Sequence, residues 1–407
     1  MLFRSLNLEK NKHYLLACSF GPDSMALFDM LVKEGYRFTV AHVNYHLRAE
    51  ANEEESKLRD YCFEHNIGIY VKSVIEDLGE SNLEKKCRDI RYNFFIDVVK
   101  SNHFDALLVA HQEDDLIETY LMQKQRKNLV NYFGIKEISY FTDVEIIRPL
   151  LKYRKGELMM YCKMFNVPYA IDKTNLEDHF LRNQIRHQVV EKMSNEERKK
   201  VLEEIDKENK ELHRILDVVA NIKSNKIEEY NRLNDIEFLY AIVALGRKIK
   251  DDFIISKEQG AELRKVMLSD KPNISLDVDG LRFVKEYDSI SIKEDEDAVD
   301  YSFVLNEPGV LDTEYFHIDF TKDSSDRNVS LPDYPITIRN AKNDDVIEIL
   351  NYSKELRRMF IDWKMPASLR KRWPVILNKD GKIIYVPRYF KDFVITPDLN
   401  FFVKIKD

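Results

Sequence analysis

Six consecutive residues, Ser19-Phe20-Gly21-Pro22-Asp23-Ser24, bring two hydroxyls, a glycine and a carboxylate into one short turn. They follow the apolar run Tyr14-Leu15-Leu16-Ala17-Cys18 and precede the amphipathic stretch Met25-Ala26-Leu27-Phe28-Asp29-Met30-Leu31-Val32. A strand feeding a small-residue turn that opens a helix suits phosphate. The first N–H groups of a helix have no intrahelical partner, and the helix dipole favours an anion there. Ser19 and Ser24 add donors, and Asp23 could hold Mg²⁺ against the phosphates. No Lys stands in the loop, which excludes the Walker A pattern with its Lys-Ser/Thr pair. Taken alone, the segment also reads as an ordinary structural turn.

Further polar clusters recur along the chain. In His111-Gln112-Glu113-Asp114-Asp115-Leu116-Ile117-Glu118-Thr119 the spacing puts His111, Asp115 and Glu118 on one face if a helix opens at His111. Such a face could bind a metal, hold a cationic substrate or move protons. A helix start enriched in acids to match its dipole is the competing reading. Arg88 and Arg91-Tyr92 fall within another helical pattern. Arg182 and Arg186 are four residues apart, just after Asp172-Lys173-Thr174-Asn175, and would share a face suited to phosphate. Residues 354–374 hold seven Lys/Arg against two acids, a local charge of +5 in a chain of net charge −8. Arg370, Lys371 and Arg372 are contiguous there, with Phe360, Trp363 and Trp373 interleaved, a mixture that fits an RNA backbone and unstacked bases.

The elements that must position these groups follow from periodicity. Tyr14–Cys18, Phe38–Val43, Ile67–Val74, Ala106–Ala110 and a short Val144–Ile147 read as strands, with helical patterns between them at Glu53–His65 and Asn82–Ser101. Alternation of this kind implies a parallel sheet covered on both faces. Ligands of such sheets sit beyond the carboxyl ends of the strands, where residues 19–24, His42–Arg48 and Ala110-His111 all fall. From Gln188 to Asn221, Val201, Ile205, Leu212, Ile215 and Val219 recur at helical spacing among many charges, predicting one long helix. A helical stretch over Asp235–Ile249, alternation at 274–278 and 281–284, an acidic surface linker at 293–297 and short β segments complete the chain.

The composition narrows the class. A length of 407 residues predicts about two or three domains, and 44% hydrophobic with 33% charged residues describes a globular chain. No apolar run is long enough to span a bilayer and Met1-Leu2-Phe3-Arg4 begins no secretory signal, so a cytoplasmic protein without a membrane partner is expected. Cys18, Cys62, Cys87 and Cys162 show no C-x-x-C pair and no zinc spacing, and read as reduced thiols. Nothing in the sequence sets the oligomeric state.

Together these residues resemble the tRNA(Ile)-lysidine synthetase family of ATP pyrophosphatases. The ordered set is Ser19 to Ser24, His42-Val43-Asn44-Tyr45-His46-Leu47-Arg48, Arg88 to Tyr92, His111 to Thr119, Arg148-Pro149-Leu150-Leu151, Asp172 to Asn175 and Arg182-Asn183-Gln184-Ile185-Arg186. It is strong over residues 13–187 and persists weakly at Leu281–Tyr287 and Lys364–Pro374.

The resemblance implies an α/β fold. A parallel-sheet ATP-pyrophosphatase domain of Rossmann-like type would span 1–187, with a helical linker at 188–222 and two smaller α+β tRNA-binding domains at 223–297 and 298–407. It implies a ligase that uses ATP and Mg²⁺ to adenylate the wobble cytidine of the CAU anticodon in a minor isoleucine tRNA. L-lysine then replaces AMP. Ser19, Phe20, Gly21, Pro22, Asp23 and Ser24 would hold pyrophosphate, Asp23 the metal, and His42-Val43 would border adenine. Arg91 would neutralise phosphate charge, Asp115 and Glu118 would receive lysine with His111 beside the reacting centre, and Arg182 and Arg186 would meet tRNA or the adenylate. The C-terminal domains, with Arg370, Lys371 and Arg372, would clamp the tRNA.

Three positions depart from the family pattern: Phe20 and His46 stand where glycines are usual, and Lys124-Gln125-Arg126-Lys127-Asn128 replaces a glycine-rich stretch. The alternatives are a tRNA thiolation enzyme of the same superfamily, a nucleotide-gated RNA-binding module without catalysis, and an amidating synthetase acting on small molecules. The first generally needs a reactive Cys near the nucleotide, often in C-x-x-C pairs.

Overall fold

The computed structural model describes residues 5–76, 79, 82–127, 129–170, 181–294, 300–321, 329–349, 352–389, 395–397 and 402–405. It divides into two units, Met1–Arg214 and Ile215–Asp407. Asp172-Lys173-Thr174-Asn175 lies outside the described residues.

In the first unit β1 (His13–Ala17) leads into α1 (Pro22–Lys33), β2 (Arg37–Asn44), α2 (Ala51–Glu64), β3 (Ile69–Ser73), α3 (Leu83–Asn102) and β4 (Ala106–Val109). Then come α4 (Glu113–Arg126), β5 (Ile138–Phe141), β6 (Val144–Ile147), α5 (Lys155–Met164), α6 (Leu181–Gln188) and α7 (Asn195–Ala220), whose residues after Arg214 belong to the second unit. The sheet order is β3-β2-β1-β4-β6-β5, parallel except for the edge strand β5, which runs antiparallel to β6.

Both faces of this sheet are covered, and neighbouring strand residues serve opposite faces. Leu16, Val40 and Leu108 pack with Met25, Phe28 and Leu58 of α1 and α2. Leu15, Ala41, Leu107 and Ile146 pack with Tyr92, Phe95 and Val99 of α3. Double burial explains why β1 and β4 read as unbroken apolar runs. Removing a side chain such as Phe28 from water contributes about 1.5–3 kcal/mol. Because β1 leads towards β2 on one side while β4 lies on the other, a crevice opens beyond the carboxyl ends of β1 and β4.

The long helix expected from Gln188 begins later. A 3₁₀ turn occupies Val190–Lys192, and α7 starts at Asn195 behind a capping box, in which Ser194 N–H donates to Glu197 Oε2 at 2.8 Å and Glu197 N–H to Ser194 Oγ at 3.2 Å.

The second unit holds helices at Ile227–Asn231, Asp235–Gly246 and Lys257–Leu268, and a meander of Asn273–Val278, Leu281–Glu286 and Ser289–Lys293. Two four-stranded antiparallel sheets and a hairpin of Val346–Ile349 with Tyr352–Glu355 follow. The fold is therefore α/β, with small antiparallel sheets after a mostly parallel N-terminal domain. No described helix is long and apolar enough to cross a membrane.

Candidate active site beyond β1 and β4

Residues 19–24 form the turn between β1 and α1, with Gly21 as N-cap and Pro22 in the first helical turn, where its missing N–H costs nothing. Ser24 Oγ donates to the Gly21 carbonyl at 3.0 Å, Ser19 N–H donates to Ser24 Oγ at 3.3 Å, and the two hydroxyls lie 3.4 Å apart. A Cβ on Gly21 would sit 3.3 Å from Ser19 Oγ, so the turn leaves little room for a larger residue.

Phe20 explains its own departure from the glycine pattern. Its φ is +62°, the left-handed region in which a glycine is unstrained. The ring is only 2% exposed and belongs to the core cluster with Met25 and Phe28. Burial worth about 1.5–3 kcal/mol outweighs a left-handed cost of about 1–2 kcal/mol. His46 likewise has positive φ, +53°, and its ring bridges Asn52 Oδ1 at 2.8 Å and Ser73 Oγ at 2.5 Å.

Asp23, in the first turn of α1, has a buried Oδ1 with no hydrogen-bond partner. Burial, and next the charge of Asp115, push its carboxyl up to about 7, against the pull of Lys155 and Arg186. An orphaned carboxylate oxygen beside a helix start fits a hard cation shared with phosphate oxygens. Among the described residues no group of three or more His, Cys, Asp or Glu is placed to hold a metal.

Towards the end of β2, His42 is buried and its Nδ1 lies 2.8 Å from the Cys18 carbonyl, tying β2 to the residue that follows β1. Burial lowers its pKa, so it is a neutral ring whose Nδ1–H donates to that carbonyl. Val43 follows in the same strand.

Beyond β4 the structure separates what the spacing had joined. His111 precedes α4 and is not on its face, because Gln112 caps the helix: Asp114 N–H donates to Gln112 Oε1 at 2.6 Å and Gln112 N–H to Asp115 Oδ2 at 3.1 Å. Asp115 and Glu118 do share a face, and it is met by α6. Arg182 donates through Nη2 to Asp115 Oδ1 at 2.8 Å and through Nε to Glu118 Oε2 at 2.9 Å. Arg186 donates through Nε to Glu118 Oε1 at 2.6 Å and through Nη2 to Oε2 at 3.0 Å. The acids assigned to lysine and the arginines assigned to phosphate thus form one cluster. The adjoining Glu113 and Asp114 are held by Arg198 of α7, at 3.3 and 2.5 Å.

Arg91 is exposed and has no ion pair among the described residues, while Arg88 lies 5.1 Å over the Tyr92 ring. Arg148, given no role from the sequence, donates through Nε to His111 Nδ1 at 3.1 Å. Its position one residue past a parallel strand was the available signal.

In the second unit Arg370 is engaged structurally, donating to the Met365 carbonyl and to Tyr287 Oη at 3.0 Å. Trp373 and Phe360 are core residues, Trp373 donating its indole N–H to the Pro387 carbonyl at 2.7 Å. Lys371, Arg357 and Arg358 are exposed. Base-stacking aromatics are therefore not supplied by Phe360 or Trp373.

Cys18 and Cys162 are buried, and burial pushes their thiols up to about 11 and about 12. Burial disfavours the reactive thiolate form of both.

Residues 2–193 match the PP-loop domain family and residues 336–394 the TilS substrate C-terminal domain family. A tRNA(Ile)-lysidine synthase from Mycoplasma mycoides is 30% identical over 398 residues, spanning 93% of this chain and 97% of that protein. Proteins of the same name from Mesoplasma florum and Staphylococcus epidermidis are 28% and 27% identical, and the alignments cover 91% and 95% of this chain and 96% of each relative.

Proposed function

The chain belongs to the tRNA(Ile)-lysidine synthase family, and we propose on that premise how its crevice carries out the reaction. It is an ATP-dependent ligase that modifies tRNA. The substrate is the wobble cytidine of the CAU anticodon in a minor isoleucine tRNA. ATP adenylates the C2 oxygen of that base and releases pyrophosphate. The amine of free L-lysine then attacks C2, expels AMP and leaves lysidine. Adenylation converts a poor leaving oxygen into a good one, so the protein's part is positioning and neutralising charge.

The start of α1, with Ser19, Gly21, Asp23 and Ser24, cradles the phosphates, and His42-Val43 borders the adenine. Asp23 would hold Mg²⁺, which when bound neutralises the pyrophosphate leaving group. Arg91, exposed and unpaired among the described residues, is available to phosphate. Asp115 and Glu118 supply negative charge for the lysine cation. Glu118 has no solvent exposure and both its oxygens are occupied by arginines, whereas Asp115 is partly exposed and meets Arg182 at 2.8 Å and Arg186 at 3.6 Å through Oδ1 alone. Lysine therefore enters at Asp115, displacing Arg182, whose guanidinium turns to phosphate on the adenylate or the tRNA.

Residues 1–187 would form the catalytic domain and 188–222 a helical linker. Residues 223–297 and 298–407 would bind the tRNA body, with exposed Lys371 the better phosphate contact than Arg370. A tRNA substrate makes the cytoplasm the proposed compartment.

The observation that carries this reading is the buried, unpartnered Oδ1 of Asp23 at the start of α1. An Asp23→Ala chain should lose tRNA-dependent release of AMP and pyrophosphate while staying folded. Release at the native rate would remove the loop from the mechanism.

A further inference from the structure

Two side chains project from the ends of neighbouring parallel strands. Ile147 of β6 is in register with Leu108 of β4, so Arg148 and His111 both emerge just beyond the carboxyl edge of the sheet, with β4 between β6 and β1. They are thirty-seven residues apart in sequence, and Arg148 Nε lies 3.1 Å from His111 Nδ1.

Arg148 is held in place from several directions. Its backbone N–H donates to the Glu137 carbonyl at 2.9 Å. Nη1 donates to the Lys136 carbonyl and to Ser139 Oγ, both at 2.9 Å. The residue is 8% exposed. A guanidinium held by β5 and the segment before it has one direction left for Nε, and that direction is His111.

The chemistry of the contact has one solution. A guanidinium offers only donors and does not lose its proton in a protein. His111 Nδ1 must therefore be the acceptor, and the imidazole carries its proton on Nε2. Nε2–H has no hydrogen-bond partner among the described residues, which leaves it as an unspent donor at the carboxyl end of β4.

We propose that Arg148 is a positioning residue that fixes His111 as a neutral imidazole whose Nε2–H donates to an oxygen of the reacting nucleotide or base. This rests on the crevice being the site of adenylation. Charge then develops on the α-phosphate and leaves the C2 oxygen, and a neutral donor stabilises it without giving up its proton.

The surroundings agree. Arg148, Arg182 and Arg88 face the ring with positive charge and Asp115 with negative. Burial, opposed by Asp115 and assisted by the arginines, lowers the His111 pKa to about 4. The ring stays neutral across the range in which the enzyme would work.

Long-range ¹H–¹⁵N NMR on the full chain labelled at histidine reads the tautomer directly, with His111 assigned by its loss in His111→Gln. The expected spectrum shows His111 protonated at Nε2 alone from pH 8 to pH 5. Arg148→Met should let the second tautomer appear and raise the His111 pKa, because a positive neighbour and a donor to Nδ1 are both lost. In AMP release with tRNA it should lower kcat by about 10–100-fold with KM for ATP changed less than about threefold. Arg148→Lys, which keeps a donor and a charge, should recover part of the kcat. A His111 that carries its proton on Nδ1, or is charged at pH 7, overturns the proposal. So does unchanged kcat in Arg148→Met. If Arg148→Met does not fold, the wild-type tautomer and the Arg148→Lys kinetics decide in the same way. Absence of AMP release in the wild-type chain would instead defeat the functional reading and leave the tautomer result standing.

Discussion

Arg186 Nε donates to Glu118 Oε1 at 2.6 Å, and the carboxylate it meets has no exposure to solvent. With Arg182 on the other oxygen, α6 is fastened to α4 through a buried charge that needs both partners. Removing one side of such a pair leaves an uncompensated ion, which costs far more than the pair contributes. Glu118→Ala should lower unfolding free energy by about 3–5 kcal/mol, read by urea denaturation. Asp115→Asn removes the charge that meets Arg182 at 2.8 Å and Arg186 at 3.6 Å while keeping an acceptor for the Gln112 N–H, and should cost about 1–2 kcal/mol. A Glu118→Ala chain of native stability would show that the arginines do not need the carboxylate.

Asp23 ties stability to pH. Its carboxyl rises from 3.8 to about 7 on folding, so between those values the folded chain binds a proton that the unfolded chain has released. Stability from this group falls as pH climbs through that window and stays low above it. Asp23→Asn removes the penalty. Without nucleotide it should be more stable than wild type at pH 8 by about 1–3 kcal/mol and nearly equal at pH 4. Cation binding at Asp23 must also strengthen as pH rises towards 7. Parallel stability curves for the two chains from pH 4 to pH 8 would refute the assignment.

Phe20 should invert the usual order of substitutions. Alanine loses the buried ring and keeps the left-handed backbone, costing about 3–5 kcal/mol. Glycine loses the same ring but regains about 1 kcal/mol from an unstrained φ. Phe20→Gly should therefore melt above Phe20→Ala. The reverse order in thermal melts would mean that the turn is not held at positive φ.

Thiol chemistry is not required. Cys18→Ala and Cys162→Ala, singly or together, should retain AMP release within about twofold at a stability cost of about 1–2 kcal/mol each. Loss of turnover in a folded Cys18→Ala chain would return weight to a thiolation reaction.

How far the sequence carried is best seen at particular residues. The strands β1 and β4 were legible because both faces of the sheet are covered there, so Tyr14–Ala17 and Ala106–Val109 are apolar without interruption, and β2, β3 and β6 by their β-branched and aromatic content. β5 was not, because Ile138-Ser139-Tyr140-Phe141 mixes polarity on an exposed edge, with Tyr140 68% exposed. The turn at 19–24 was legible as a strand-to-helix turn, yet a positive φ under Phe20 is invisible until the ring is seen in the core. The helix at Lys257–Leu268 and the late start of α7 could have been read from Ser256-x-x-Gln259 and Ser194-x-x-Glu197, which are capping boxes. The joining of Arg182 and Arg186 to Asp115 and Glu118 was half legible, as two helical faces of opposite charge. Periodicity describes each face but not which faces meet. The pairing of Arg148 with His111 was beyond reach for the same reason, since register between β4 and β6 brings them together.

The central claim is that this crevice joins lysine to a tRNA base at the expense of ATP. The direct measurement is incubation with ATP, Mg²⁺, isotopically labelled L-lysine and total tRNA, followed by nucleoside mass spectrometry. The account predicts label in a modified cytidine from one isoleucine tRNA, with one AMP and one pyrophosphate released per lysine incorporated. Label in no tRNA from a folded chain, or sulfur replacing the cytidine oxygen, would contradict it.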